Sequence, residues 1–126
     1  MSYTIKNLTE VEDKAPQFGF AELQEARFAH GDLKAESTGL SFMRVKPGKR
    51  QAFAHRHDDA EEIYVVISGS GRVKLDDAVE EIKALDAIRV APKVARQFEA
   101  GDEGLELLAF GPRHDGDGEL IKEGIF

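Results

Sequence analysis

The sequence predicts an all-β domain, either a sandwich or a closed barrel. Three observations carry that expectation. Short runs of alternating or β-branched residues recur along the whole chain, Gly, Pro and Asp separate them, and no long stretch shows the periodicity of an amphipathic helix. In the first half the runs fall at residues 3–5, 26–29, 39–45, 51–57 and 62–67. In the second half they fall at 72–75, 79–82, 87–90, 96–98 and 105–110, with Gly69, Asp76, Asp77, Pro92 and Gly101 as turn residues between them.

One helix candidate exists. Residues 20–27 contain the helix formers Ala21, Glu22, Leu23 and Glu25, enough for about two turns. The last strand run, 105–110, is apolar on both faces near its end, as expected for a strand covered on two sides by core or by a second subunit. Residues 111–118 are rich in Gly and Asp and read as a mobile or partner-bound extension. No internal repeat or linker divides the 126 residues, so a single domain over 1–126 is expected, with an N-terminal strand or extension at 1–35 and a C-terminal tail at 111–126.

Composition narrows the partners. The chain carries 24 acidic against 17 basic side chains, a net charge of -7, which disfavours a nucleic-acid partner. No apolar run reaches the roughly 18 residues of a membrane span, and residues 1–10 lack the order of a secretory signal. A soluble, cytoplasmic protein without a membrane partner is the expectation. Cysteine is absent, so disulfides, thiolate nucleophiles and thiolate metal sites are excluded. Any metal must rest on His, Asp, Glu or amide oxygen.

Residues 51–57 hold the chemistry. Alternation sends Gln51, Phe53, His55 and His57 to one face and Ala52, Ala54 and Arg56 to the other. The two imidazoles then stand about 7 Å apart at a rise of about 3.3 Å per residue. After the polar turn Asp58-Asp59-Ala60 the chain returns antiparallel, and Glu62, which shares a face with Tyr64 and Val66, can stand opposite them. Glu61 falls on the other face unless a bulge exchanges the two. Two imidazoles and one carboxylate suit a divalent transition metal (Fe, Mn, Zn, Ni or Co) and leave positions open for substrate or dioxygen. The same residues would also suit a solvated hairpin end, in which case the imidazoles face outward.

The spacing Gly48, six residues, His55-Arg56-His57, four residues, Glu62, six residues, Gly69 resembles the first conserved motif of the cupin superfamily, with one extra residue before His55. Residues 85–98 resemble the second motif, which runs through a proline turn, here Pro92, to a histidine. The resemblance spans about residues 45–110. It implies a double-stranded β-helix, the jelly-roll barrel, commonly dimeric, so a homodimer is expected.

At the family's fourth-ligand histidine this sequence has Arg96, when Phe98 anchors the alignment; a one-residue slip would place Gln97 there, whose amide oxygen can coordinate. A guanidinium has no free lone pair and stays charged, so Arg96 would repel a cation and attract Glu62 or an anionic ligand. Two states follow from this. In one, His55, His57 and Glu62 hold the metal and Arg96 fixes substrate; in the other, Arg96 pairs with Glu62 in a metal-free pocket.

The expected substrate-binding set is Gln51, Tyr64, Arg96 and Phe98, acting on a small anionic or sugar-like molecule. Three functions compete: a metal-dependent oxygenase, isomerase or lyase, a non-catalytic binding barrel, and a structural module. Other signals are weaker. Gly69-Ser70-Gly71 lacks the Lys-Ser/Thr pair of a phosphate loop, Ser68 and Ser70 lack a nucleophile elbow, and His30 and His114 sit in turns where solvated histidines are common. Arg44 lies on an otherwise apolar strand face, where a pocket mouth or a surface ion pair would suit it.

Overall fold

The alternating runs become eight antiparallel strands in the computed structural model, which describes residues 2–126. They are β1 (Gln24–Phe28), β2 (Thr38–Val45), β3 (Ala54–His57), β4 (Glu62–Leu75), β5 (Ala78–Lys83), β6 (Ala87–Val90), β7 (Arg96–Pro112) and β8 (Gly118–Ile121). One path through the sheet runs β1-β2-β7-β3-β8, while β4 pairs with β5, β6 and β7. The sheet curls, and its two long strands, β4 and β7, are the shared frame on which the shorter strands are laid.

Four strands expected from the sequence are in fact two. Residues 62–67 and 72–75 join into β4, and 96–98 and 105–110 join into β7. The glycines read as turns are points of close approach inside the ladder. The pairing of β4 with β7 shifts register between Val66 and Ser68 and again between Gly69 and Gly71. Such bulges bend a strand without ending it. At Gly69, φ is +81° and an added Cβ would stand 2.0 Å from the Gly104 carbonyl oxygen. Only glycine fits there.

The core lies inside the curl. Val45, Val66, Val73, Val90, Phe98, Leu105 and Leu107 are wholly or almost wholly buried, and Tyr64 packs its ring against Phe98 at 4.9 Å between centroids. On β7, Leu105, Leu107 and Ala109 face this core, whereas Leu108 and Phe110 on the alternate face are only half-buried.

Three local expectations are corrected. Residues 3–5 form no strand and are exposed. The helix expected at 20–27 gives way to a turn followed by β1, because Gln24 and Ala26 are buried and the segment pairs with β2 from Gln24↔Val45 to Phe28↔Ser41. Sheet pairing there overrides a weak helical propensity. The tail is not a loose extension. It supplies β8, which pairs with β3 from Ala54↔Ile121 to His57↔Gly118, and it buries Asp117.

The bulge at Gly69 yields a prediction. Gly69→Ala combines a left-handed backbone with a clash against main chain, and should lower unfolding free energy by about 3 kcal/mol. Urea denaturation checks it; a loss below about 1 kcal/mol would mean that the β4–β7 frame yields easily at its bend.

Candidate metal centre

The pairing of β3 with β7 and β8 sets the imidazoles. His55 lies opposite Arg96 on one side and Leu120 on the other, and His57 lies opposite Gly118. Strand alternation turns both rings to the same side, where they stand 5.2 Å apart and nearly perpendicular. β4 begins with Glu62 on this side. The donor atoms of His55, His57 and Glu62 lie within 4.8 Å of one another, and all three residues border a cavity of about 660 Å3. The reading of Glu62 rather than Glu61 agrees with this placement, since Glu61 pairs with Arg89 at 3.3 Å on the exposed side.

Glu62 Oε1 is the meeting point. Tyr64 donates its hydroxyl to it at 2.6 Å, His55 Nε2 lies 3.4 Å away and His57 Nε2 3.2 Å away. Burial alone would raise the Glu62 carboxyl, but the hydrogen bonds from His55 and Tyr64 outweigh it and hold the group down at about 2. Burial pushes the His55 imidazole below its ordinary value against the pull of Glu62, and the charge of Arg96 adds to that. Burial and the neighbouring Glu62 push the Tyr64 phenol well up, so it remains a protonated donor. An anionic carboxylate and a neutral imidazole are the forms that bind a metal.

Asp117 completes the centre. Its Oδ2 stands 3.1 Å from His57 Nδ1, while Oδ1 and Oδ2 accept the backbone N–H groups of Asp59 and Ala60 at 2.8 and 3.0 Å. Burial would raise this carboxyl, yet those two backbone donors and His57 hold it below the usual range. An ionised Asp117 takes the proton of His57 Nδ1 as a hydrogen bond and leaves Nε2 with its lone pair toward Glu62 and His55. His57 Nε2 is buried and, although 3.2 Å from Glu62 Oε1, is not aligned for a hydrogen bond to it or to any other group among the described residues. The orphaned nitrogen and the donor set together fit a divalent transition metal.

Sequence reasoning missed Asp117. It lies sixty residues from His57 in a Gly/Asp-rich tail, and the only available signal was that a ligating imidazole wants a carboxylate on its other nitrogen. Of the expected substrate-binding residues, Gln51 and Tyr64 border the cavity. Arg96 and Phe98 are fully buried beside it and do not line it. Arg96 Nη2 donates to the Ala91 carbonyl at 3.1 Å, Nη1 stands 3.9 Å from Glu62 Oε1, and Nε and Nη1 lack hydrogen-bond partners. Gln97 is not an alternative ligand, because its amide donates to the Gln51 carbonyl and accepts from Ile125 N–H. Arg44 takes the ion-pair option, held between Glu25 and Glu106.

Residues 41–111 match the Cupin domain family. The chain belongs to the cupins. A curated relative, an uncharacterized protein of Methanocaldococcus jannaschii, is 30% identical over 81 residues, which cover 62% of this cupin and 65% of the relative. Among solved structures, a cupin protein from Bacteroides fragilis superposes with a TM-score of 0.73 at 22% identity, covering 100% of this chain and 98% of the other. The polyketide cyclase RemF from Streptomyces resistomycificus gives 0.74 at 18% identity, with 94% and 84% covered. Oxalate decarboxylase from Bacillus subtilis gives 0.70 at 20% identity, with 92% of this cupin and 32% of that chain covered. At these identities the likeness is one of fold, and it bears out the jelly-roll expectation.

The role of Asp117 is testable. Asp117→Asn keeps the size of the side chain but loses the charge that fixes the His57 tautomer. It should weaken zinc binding by about 10- to 100-fold. Competition titration against a chromogenic chelator measures this; an unchanged affinity would show that His57 needs no orienting carboxylate.

Proposed function

We propose that this cupin is a metal-dependent enzyme acting on a small molecule in the cavity beside His55, His57 and Glu62. The observation that carries the proposal is the buried, unpartnered Nε2 of His57, oriented by Asp117 toward the same point as His55 and the Glu62 carboxylate. A buried nitrogen in that position costs stability unless something occupies its lone pair. The enzymes among the structural neighbours, a polyketide cyclase and an oxalate decarboxylase, are in keeping with a catalytic use of such a cavity.

A bound divalent metal would supply Lewis-acid polarisation of a substrate oxygen, or a site for dioxygen. The chain's own groups do the rest. His55, His57 and Glu62, which come from β3 and the start of β4 and all border the cavity, would hold the metal where a substrate oxygen can reach it. Tyr64, its ring fixed against Phe98, holds a proton at its hydroxyl 3.3 Å from His55 Nε2 and can share it between Glu62 and a substrate oxygen. Arg96, behind the ligands, offsets the Glu62 charge from the buried side. Oxygenase, isomerase and lyase chemistry all fit this arrangement.

A second reading is a binding barrel without metal, and Arg96 favours it. A cation 3.9 Å from a ligating carboxylate opposes a second cation at the same group. Metal uptake decides between the two. Chelator-stripped protein, purified without an affinity tag and reloaded, should bind about one equivalent of Zn, Fe, Mn, Ni or Co, and His57→Ala should bind less than about a tenth of that. Uptake below a tenth of an equivalent by the unaltered chain would reject the enzyme reading.

Arg96→His offers a second measurement. It removes the opposing charge and restores an imidazole at the family's fourth-ligand position, so metal affinity should rise by about tenfold or more. Unchanged affinity would mean that Arg96 is already neutralised by Glu62 and does not weaken the centre.

A further inference from the structure

One wall of the cavity is aromatic. Phe20 stacks with Phe18 at 6.4 Å and meets Phe53 edge-on at 5.3 Å, and all three line the cavity with Met43 and Leu40. A polyol laid against such a wall would lose hydration at several hydroxyls with nothing to replace it. An apolar ring would lose none.

Two amides interrupt this wall, and each has one half already in use. Gln24 Oε1 accepts the backbone N–H of Ala52 at 2.9 Å, and Gln51 Oε1 accepts that of Phe98 at 3.0 Å. Because both partners are donors, the oxygen of each amide must face the backbone, which turns the NH2 group the other way. Both residues are more than nine-tenths buried and both border the cavity. Among the described residues neither amide nitrogen has a protein acceptor and neither is a fully enclosed atom, although Gln51 also borders a smaller pocket beside Arg50 and Phe126. The fold has spent each glutamine's acceptor on the backbone and kept its donors for something else.

We infer that the cavity binds a ring-bearing, largely apolar molecule with two oxygen functions, one directed to His55, His57 and Glu62 and the other accepting hydrogen bonds from Gln24 and Gln51. The inference rests on the site proposed above but does not need the metal. The aromatic wall fixes the ring, and the amides fix which end points to the centre. Gln24 and Gln51 are binding residues that set orientation and specificity, and a molecule lacking the second oxygen would leave their donors unpaired.

The test uses 6-hydroxy-2-naphthoate, whose hydroxyl and carboxylate lie at opposite ends of the ring system, as the probe, with malate (oxygen functions, no ring) and naphthalene (ring, no oxygen) as comparators. Each is titrated into zinc-loaded protein and into protein held in chelator. The naphthoate should bind about tenfold or more tighter than either comparator in both preparations. Gln24→Glu and Gln51→Glu keep an oxygen for the backbone N–H but remove the amide donors, and each should weaken the naphthoate by about tenfold with zinc affinity unchanged. Should either variant fail to melt cooperatively, the order of the three probes on the unaltered chain still decides. Malate binding as tightly as the naphthoate, or folded glutamate variants binding it as the parent does, would overturn the inference. Protein that takes up no zinc yet binds the naphthoate through Gln24 would refute the metal centre and leave this inference standing.

Discussion

The Glu62 carboxylate is the constraint on which the site depends. A half-buried acid in a β interior would ordinarily take up a proton, and here the Tyr64 hydroxyl and two imidazoles prevent it, with Arg96 beyond them. Its charge in turn organises its neighbours. It keeps the Tyr64 proton in place, it lies within 3.4 Å of both imidazole Nε2 atoms, and it gives the buried Arg96 a counter-ion. Asp117 adds a second negative charge on the far side of His57, so the two carboxylates exceed the single guanidinium by one charge. A centre with surplus negative charge and an unpartnered imidazole nitrogen is electrostatically prepared for a cation, and Arg96 limits how strongly.

The frame that holds these groups is the pairing of β4 with β7. Glu62 and Tyr64 are on the first turn of the pleat in β4, and Arg96 and Phe98 are at the start of β7, so the contact between Tyr64 and Phe98 ties core packing to site geometry. A buried tyrosine with one end in the core and its hydroxyl in the site cannot move without disturbing both. β3 has a different support. It meets β7 at only one residue pair and is otherwise held by β8, which makes the C-terminal tail a structural part of the imidazole pair.

The cavity and the centre ask different things of a ligand. The centre offers charge and coordination, whereas the wall of Phe18, Phe20 and Phe53 offers apolar contact with two amides set into it. A molecule satisfying both would be held at two ends, and binding at the wall would position whatever oxygen reaches the centre.

The sequence by itself determined the all-β class of the fold, the absence of thiolate chemistry, and the grouping of His55, His57 and Glu62. The alternation along 51–57 and the antiparallel return after residues 58–60 are local, and local geometry suffices to turn two imidazoles and one acid to a common side. It could not show that Gly69 bends a strand rather than ending one, because a glycine looks the same in a turn and at a close backbone approach. Nor could it show that β1 would displace a short helix, or that Arg96 and Phe98 would be buried behind the cavity, since both outcomes depend on which strands become neighbours. Asp117 and Gln24 were decided by tertiary structure alone. Each acts on a segment far along the chain, His57 in one case and Ala52 in the other, and only the folding of the sheet onto itself brings those partners within hydrogen-bond range.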